Sequence, residues 1–179
     1  MSSENIQLLV EKAKNGDKEA FGDLYGLYSL EMYKFALWYL SDRFLAEDAV
    51  SEAAMNGFIS IKKLRKPEKF KSWLFTILLR CCQRQLTHII GMRSVVEADS
   101  LNEKTDDFSV EESVEIKNSL YQLSAEDREI LLLSALGNLT SKEIGEMLSM
   151  PPGTVRSKLS RATDRLYDIL SERSVKNEK

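Results

Sequence analysis

Three prolines, eight glycines, two cysteines and one histidine are all that 179 residues contain of those types, and each scarcity excludes something. With so few helix breakers, and with Leu, Glu, Lys, Ala and Ser abundant, the composition favours an all-α chain. Cys81 and Cys82 are adjacent, a spacing that suits neither a disulfide framework nor a zinc site. His88 is the only histidine, and nothing near it in sequence supports a catalytic triad. There is no Gly-rich phosphate loop and no metal motif. No cofactor, metal ion or catalytic residue is therefore expected, and the chain does not read as an enzyme. No apolar run approaches the ~20 residues that span a bilayer, so membrane insertion is not expected. The opening MSSENIQLL lacks the basic start and apolar stretch of a secretory signal, which makes the cytoplasm the expected compartment.

What is present is helical periodicity and an uneven charge distribution. Hydrophobic residues make up 43% of the chain, enough for one medium or two small cores. The formal charge is −3, but residues 1–90 carry 13 basic and 11 acidic side chains, residues 91–115 carry 2 and 8, and residues 116–179 carry 10 and 9. Two weakly cationic ends flank an acidic middle. A balance so slightly positive predicts weak DNA binding by the chain alone, because phosphate neutralisation supplies much of that binding energy.

The most informative stretch is Leu139 to Leu170. Thr140 followed by Glu143 is a capping box that can start a helix, and Ile144 and Leu148 share one face of it. Pro151, Pro152 and Gly153 are expected to stop that helix and make a sharp reversal. Thr154 can then cap a second helix. Val155, Leu159, Ala162, Leu166 and Ile169 form its apolar stripe, while Arg156, Ser157, Ser160, Arg161 and Arg165 lie on the other face. This pattern describes a helix-turn-helix, whose second helix can enter a DNA major groove. Arginine suits base reading there, since its fork reaches guanine O6 and N7. A plain helical hairpin with solvated charges fits the same pattern.

Upstream, residues 5–15 read as a short amphipathic helix ended by Asn15-Gly16. Asp17 can cap the next, with Phe35, Trp38 and Tyr39 better explained as packing residues than as a base-stacking platform. A long helix is expected from Ala46 to Leu64, with Val50, Ala54, Phe58 and Ile61 inward. Glu47, Asp48, Ser51, Glu52 and Asn56 face elsewhere, either as solvated surface or as a docking strip for a basic partner helix. A basic loop, Arg65 to Ser72, precedes a helix from Trp73 to Ile89. Trp73, Ile77 and Leu78 have core character on that helix, and Arg80, Gln83, Arg84, Thr87 and His88 form its polar side. Basic and hydrogen-bonding groups mixed with aromatics suit single-stranded DNA, although an ordinary exposed helix face has the same composition. Residues 91–115 lack a sustained period and read as an acidic, flexible linker. Residues 116–170 form about four further helices, followed by a polar tail.

Together these motifs resemble the sigma-70 family of bacterial RNA polymerase sigma factors, in its small extracytoplasmic-function (ECF) group. LSAEDREILLLSALGNLTSKEIGEMLSMPPGTVRSKLSRA is similar to the family's region 4. AFGDLYGLY, AEDAVSEAAMNGF and FKSWLFTILLR follow region 2 in order and spacing. The resemblance implies two small helical domains, region 2 over 1–90 and region 4 over 116–179, joined by the linker 91–115. It implies a subunit that binds core RNA polymerase and directs it to promoters. Asp48, Ser51 and Glu52 would then meet the β′ clamp coiled coil. Lys66, Lys69, Phe70, Lys71, Arg80, Gln83, Arg84 and His88 would handle the minus-10 element. Thr154, Arg156, Ser157, Lys158, Ser160, Arg161 and Arg165 would read the minus-35 element in promoter DNA, with the same module docking on the β flap. An anti-sigma factor is the further partner that the group implies.

Three departures from the family pattern stand out: Cys81 and Gln85 occupy places usually held by Asn and Asp, and Ser51 replaces a common glutamine. Those at Cys81 and Gln85 motivate one alternative, a sigma-like protein unable to melt promoters. A stand-alone helix-turn-helix regulator is the other, but it leaves the Ala46–Leu64 helix and the linker without a role.

Overall fold

A computed structural model describes residues 3–93 and 116–177. The described residues are helices and connecting turns, with no strand among them. The chain divides into two compact units, Met1–Ala98 and Asp99–Lys179. The first contains α1 (Ser3–Lys14), α2 (Lys18–Leu40), α3 (Arg43–Ser60), two 3-10 turns (Ile61–Lys63 and Pro67–Lys69) and α4 (Phe70–Arg93). The second contains α5 (residues 116–120), α6 (Ala125–Ala135), α7 (Ser141–Leu148) and α8 (Pro152–Asn177).

Local chemistry accounts for the helix boundaries in the first unit. Asp17 Oδ1 accepts the Ala20 N–H at 3.0 Å and opens α2. Ser41 adopts the left-handed conformation, φ 55°, and closes it. Asp42 Oδ1 then accepts the Leu45 N–H at 2.9 Å and opens α3. Each such cap satisfies a helix-end donor that would otherwise lack a partner.

α3 packs against both α2 and α4, and α1 lies on α2 and the 3-10 turns. The core holds Leu24, Met32 and Phe35 of α2 with Phe70, Leu74, Phe75 and Leu78 of α4. Burying each large side chain contributes roughly 1.5–3 kcal/mol. On α3 the buried row is Ala46, Ala49, Val50, Ala53 and Gly57. Val50 and, just past the helix, Ile61 are buried as expected, but Ala54 and Phe58 are only half-buried, which corrects that part of the facing. Small residues occupy the buried row because both neighbouring helices approach closely there: a Cβ on Gly57 would sit 3.0 Å from Leu74 Cδ1. α3 also ends at Ser60, and Leu64 lies beyond the 3-10 turn that follows.

The expected Arg65–Ser72 loop is shorter than the sequence suggests. Pro67 starts a 3-10 turn, and α4 begins at Phe70, so Phe70, Lys71 and Ser72 are helical. Trp73 and Ile77 are half-buried, while Phe70, Leu74 and Phe75 take the core. α4 continues through Gly91, Met92 and Arg93, so the linker expected from residue 91 starts no earlier than 94. The rest of that acidic segment, 94–115, lies outside the described residues.

In the second unit α8 packs on both α6 and α7. Ser124 Oγ accepts the Asp127 N–H at 3.1 Å and caps α6. The capping box forms as expected: Thr140 Oγ1 accepts the Glu143 N–H at 3.3 Å, and Glu143 Oε2 accepts the Thr140 N–H at 2.9 Å. The reversal after α7 is made differently. Ser149, φ 56°, ends the helix in the left-handed region, and the Met150 N–H donates to the Gly145 carbonyl at 2.8 Å. α8 already begins at Pro152, a residue whose fixed φ and missing N–H suit the first helical position. Thr154 is therefore inside the first turn of α8 rather than its cap.

Candidate nucleic-acid and polymerase interfaces

On α8, Val155 and Ala162 are buried and Leu159, Leu166 and Ile169 are half-buried, so the apolar stripe faces α6 and α7. Arg156, Ser157, Ser160, Arg161 and Arg165 are all exposed, and Thr154 is half-buried. Their spacing places them in one row down the helix. The Ser157 hydroxyl donates to the Thr154 carbonyl at 3.0 Å, and Arg161 Nε donates to the Ser157 carbonyl at 3.2 Å. These bonds steer the Arg161 side chain toward the N-terminal turns of α8. Lys158 lies apart from this row. Its ammonium is 2.5 Å from Glu126 Oε2 and 3.9 Å from Asp127 Oδ1, both in the first turn of α6. It ties α8 to α6, and its charge is already matched by carboxylates.

The residues expected to meet the minus-10 element are placed differently from one another. Lys66, Arg80, Gln83 and Arg84 are exposed, and Lys69 is half-buried. Lys71 is held at 2.6 Å from Glu31 Oε2, with its ammonium 5.4 Å from the centre of the Tyr28 ring. Phe70 is fully buried. Its ring lies 6.3 Å from Phe21, 6.0 Å from Tyr28 and 5.9 Å from Trp73. This corrects its assignment to DNA, because a ring enclosed on these sides has no face for a base. His88 lies on α4, and its side chain is outside the described ones.

Asp48 and Ser51 on α3 are exposed, and Glu52 is half-buried. Sequence reasoning missed the apolar members of this surface. Phe44, Met55 and Ile59 are 72%, 65% and 72% exposed. With Asp48 and Ser51 they recur every three or four residues, so acidic and apolar groups share one outward face. The available signal was the spacing itself. An apolar row at 44, 55 and 59 that the buried row of α3 does not use must lie outside. Beside it, Tyr25, Ser29, Leu30, Tyr33, Glu47, Val50 and Ser51 line a shallow cavity of about 370 Å³ between α2 and α3.

The acidic strip and the basic strip meet at one ion pair, Glu52 Oε2 with Arg84. The hydrogen bond that Arg84 donates to Glu52, and the charge of that carboxylate, raise the Arg84 pKa above its usual value. Cys81 is buried in the same seam, with the Asn56 amide 3.9 Å from its sulfur. Burial first, and Glu52 second, raise its thiol pKa. Cys82 is shifted further in the same direction by burial. Neither thiol has the exposed, electropositive setting of a reactive cysteine. The sequence departure at Cys81 thus falls on a packed position rather than on the exposed face of α4. Among the described residues no group of His, Cys, Asp and Glu could hold a metal ion, and no helix is long and apolar enough to cross a membrane.

Comparison with known proteins matches both units. Residues 24–88 match the family model for sigma-70 region 2, and residues 113–166 match that for sigma-70 region 4. The ECF RNA polymerase sigma factor SigW of Bacillus subtilis is 26% identical, with 93% of this chain and 97% of that protein covered. The RNA polymerase sigma-H factor of Pseudomonas aeruginosa is 23% identical, over 95% of this chain and 96% of its own. Among solved structures, CnrH in complex with the cytosolic domain of CnrY superposes with a TM-score of 0.72 at 18% identity, covering 94% of this chain and 98% of that one. RpoE of Bartonella quintana, in complex with the anti-sigma factor NepR, gives 0.66 at 24% identity, over 83% and 97%. At these identities the two structures support the fold, and the family matches carry the function. The chain belongs to the sigma-70 family, in its ECF group, and is an alternative sigma factor that directs RNA polymerase to promoters.

Proposed function

We propose that the two units divide promoter recognition between them, residues 1–90 with the remaining turn of α4 acting as region 2 and residues 116–179 as region 4. The acidic segment between them serves as a tether. Arg156, Ser157, Ser160, Arg161 and Arg165 read the minus-35 element, with Thr154 at the edge of the row. Lys158 positions α8 against α6 instead of reading bases. The observation that carries this is the row of exposed arginines and serines on α8, opposite a stripe packed on α6 and α7. Arg161→Ala is expected to cost ~1–3 kcal/mol at the cognate minus-35 site, as loss of a bidentate base contact does. Footprinting with holoenzyme on promoters varied base by base checks this. Unchanged selectivity would remove Arg161 from the reading row.

On the first unit, Lys66, Lys69, Arg80, Gln83 and Arg84 serve the minus-10 element. Lys71 does so only after leaving Glu31. Asp48, Ser51 and Glu52, joined by Met55 and Ile59, dock on the clamp of core polymerase. An apolar group that is 65% exposed at the centre of an acidic face suits an interface whose partner supplies both basic and apolar groups. Met55→Asp should weaken capture of the chain by core polymerase at least tenfold in a pull-down, with the helical circular dichroism unchanged. Capture at the original strength would refute the α3 assignment. The protein works in the cytoplasm without catalysing a reaction itself. An anti-sigma factor holds it inactive; support comes from RpoE, a protein of this fold, which forms a complex with the anti-sigma factor NepR. Transcription by core polymerase with and without the purified chain, on a genomic library, tests the whole reading. Tight sequence-specific binding by the chain alone, with no effect on polymerase, would overturn it.

A further inference from the structure

The geometry points to Glu52 as a carboxylate shared between two interfaces: in the free chain it holds Arg84 back from DNA, and docking of α3 on a basic partner surface releases that arginine to a phosphate. This rests on the assignment of α3 to polymerase and of Arg84 to DNA, and it adds a coupling between them.

Glu52 and Arg84 are 32 positions apart and belong to different helices, yet they form an ion pair across the α3–α4 seam. Glu52 does not reach Arg84 by chance rotation. Its second oxygen faces the Asn56 amide at 3.5 Å, and that amide also reaches the Cys81 sulfur at 3.9 Å. The carboxylate is thus oriented from its own helix toward α4. Both partners stay within reach of other molecules, since the Glu52 and Arg84 side chains are 33% and 59% exposed. Asp48, exposed one turn before Glu52 on the same helix, makes this face one that a basic group would seek. A phosphate approaching Arg84 in the free chain meets the Glu52 charge beside it. Once a partner's cation takes Glu52, that repulsion and that competition both disappear. By linkage, whatever favours Arg84–phosphate contact when polymerase is bound favours polymerase binding when DNA is bound by the same factor. Arg80, one turn earlier on α4 and exposed, carries no ion pair among the described residues. It is open to DNA in either state, so the restraint acts on one member of the strip.

The test uses the full chain at low ionic strength and measures anisotropy of a short fluorescein-labelled single-stranded DNA of mixed sequence. Glu52→Gln should bind about two- to fivefold more tightly than the parent, the range of an exposed ion pair. The salt dependence should steepen by about 0.7 in the log–log slope, as one added phosphate contact to a single strand requires. Asp48→Asn makes the same change in net charge without touching Arg84, and should give a smaller gain and no added slope. The Glu52→Gln, Arg84→Gln double variant should lose the gain. Equal gains from Glu52→Gln and Asp48→Asn, or no gain from Glu52→Gln, would overturn the proposal while leaving the α4 assignment intact. Arg84→Gln holoenzyme that binds promoter DNA as well as the parent would instead remove Arg84 from the DNA strip, and the proposal with it.

Discussion

Phe70→Ala is expected to destabilise the first unit by about 3–5 kcal/mol, the usual cost of removing a fully enclosed aromatic side chain. The ring has no exposure, and its neighbours come from three directions: Phe21 and Tyr28 on α2 and Trp73 on α4. Removing it leaves a cavity at the point where α4 starts, next to the 3-10 turn of Pro67–Lys69. Lys66, Lys69 and Lys71 are anchored around that point, so minus-10 function would fail as well, but as a consequence of unfolding. Phe70→Leu separates the two causes. A leucine keeps most of the buried volume and should cost clearly less than alanine in urea unfolding. If Phe70 stacked on a flipped base, leucine and alanine would impair promoter opening equally while leaving stability alone. That outcome would reverse the assignment of Phe70 to the core.

Gly145→Ala is expected to destabilise the second unit by about 1–3 kcal/mol and to abolish minus-35 recognition, although alanine is the better helix former. In an exposed helix interior the exchange should gain up to ~1 kcal/mol. Here the added Cβ would lie 2.5 Å from the Met150 carbonyl oxygen and 3.5 Å from the Pro152 nitrogen. Both are backbone atoms, so no side chain can rotate away. The turn must open, and Pro152 is the first residue of α8. Moving it re-aims the row of Arg156, Ser157, Ser160 and Arg161. Overpacking of this kind outweighs the gain in propensity. Gly22→Ala supplies the opposite sign, since nothing lies within 4 Å of its added Cβ and α2 should gain stability. Urea midpoints of the two variants check the pair. A Gly145→Ala protein as stable as the parent would mean that the turn tolerates a wider approach than this geometry allows.

Much of this architecture was readable from local patterns, and the failures share a cause. The caps expected at Asp17 and Thr140 are short-range chemistry, in which a side chain meets a backbone N–H three residues on, and both form. The α8 stripe was equally legible, because periodicity alone separates Val155 and Ala162 from Arg156 and Arg161. Phe70 was misplaced because an aromatic in a basic segment looks the same whether it packs or stacks. Only the positions of α2 and Trp73 decide. The α3 facing was read in part: Val50 and Ile61 are buried as expected, whereas Ala54 and Phe58 are half-buried and the row of Ala46, Ala49, Ala53 and Gly57 was missed. There the close approach of two helices required alanine and glycine inside, and Met55 and Ile59 were left outside. The turn before α8 was credited to Pro151, Pro152 and Gly153, whereas the residue without room for a side chain is Gly145, one turn back in α7.

The sequence by itself determined that the chain is helical, where the helices capped by Asp17 and Thr140 begin, that its two halves are separated by acidic charge, and that its motifs are those of a sigma factor. These properties depend on neighbours a few residues apart or on composition, and both can be read along a line. Only the tertiary structure decided which cations remain free: Lys71 is matched by Glu31, Arg84 by Glu52 and Lys158 by Glu126. Each of those pairs joins two helices, and an ion pair depends on distance through space, which separation along the chain does not encode.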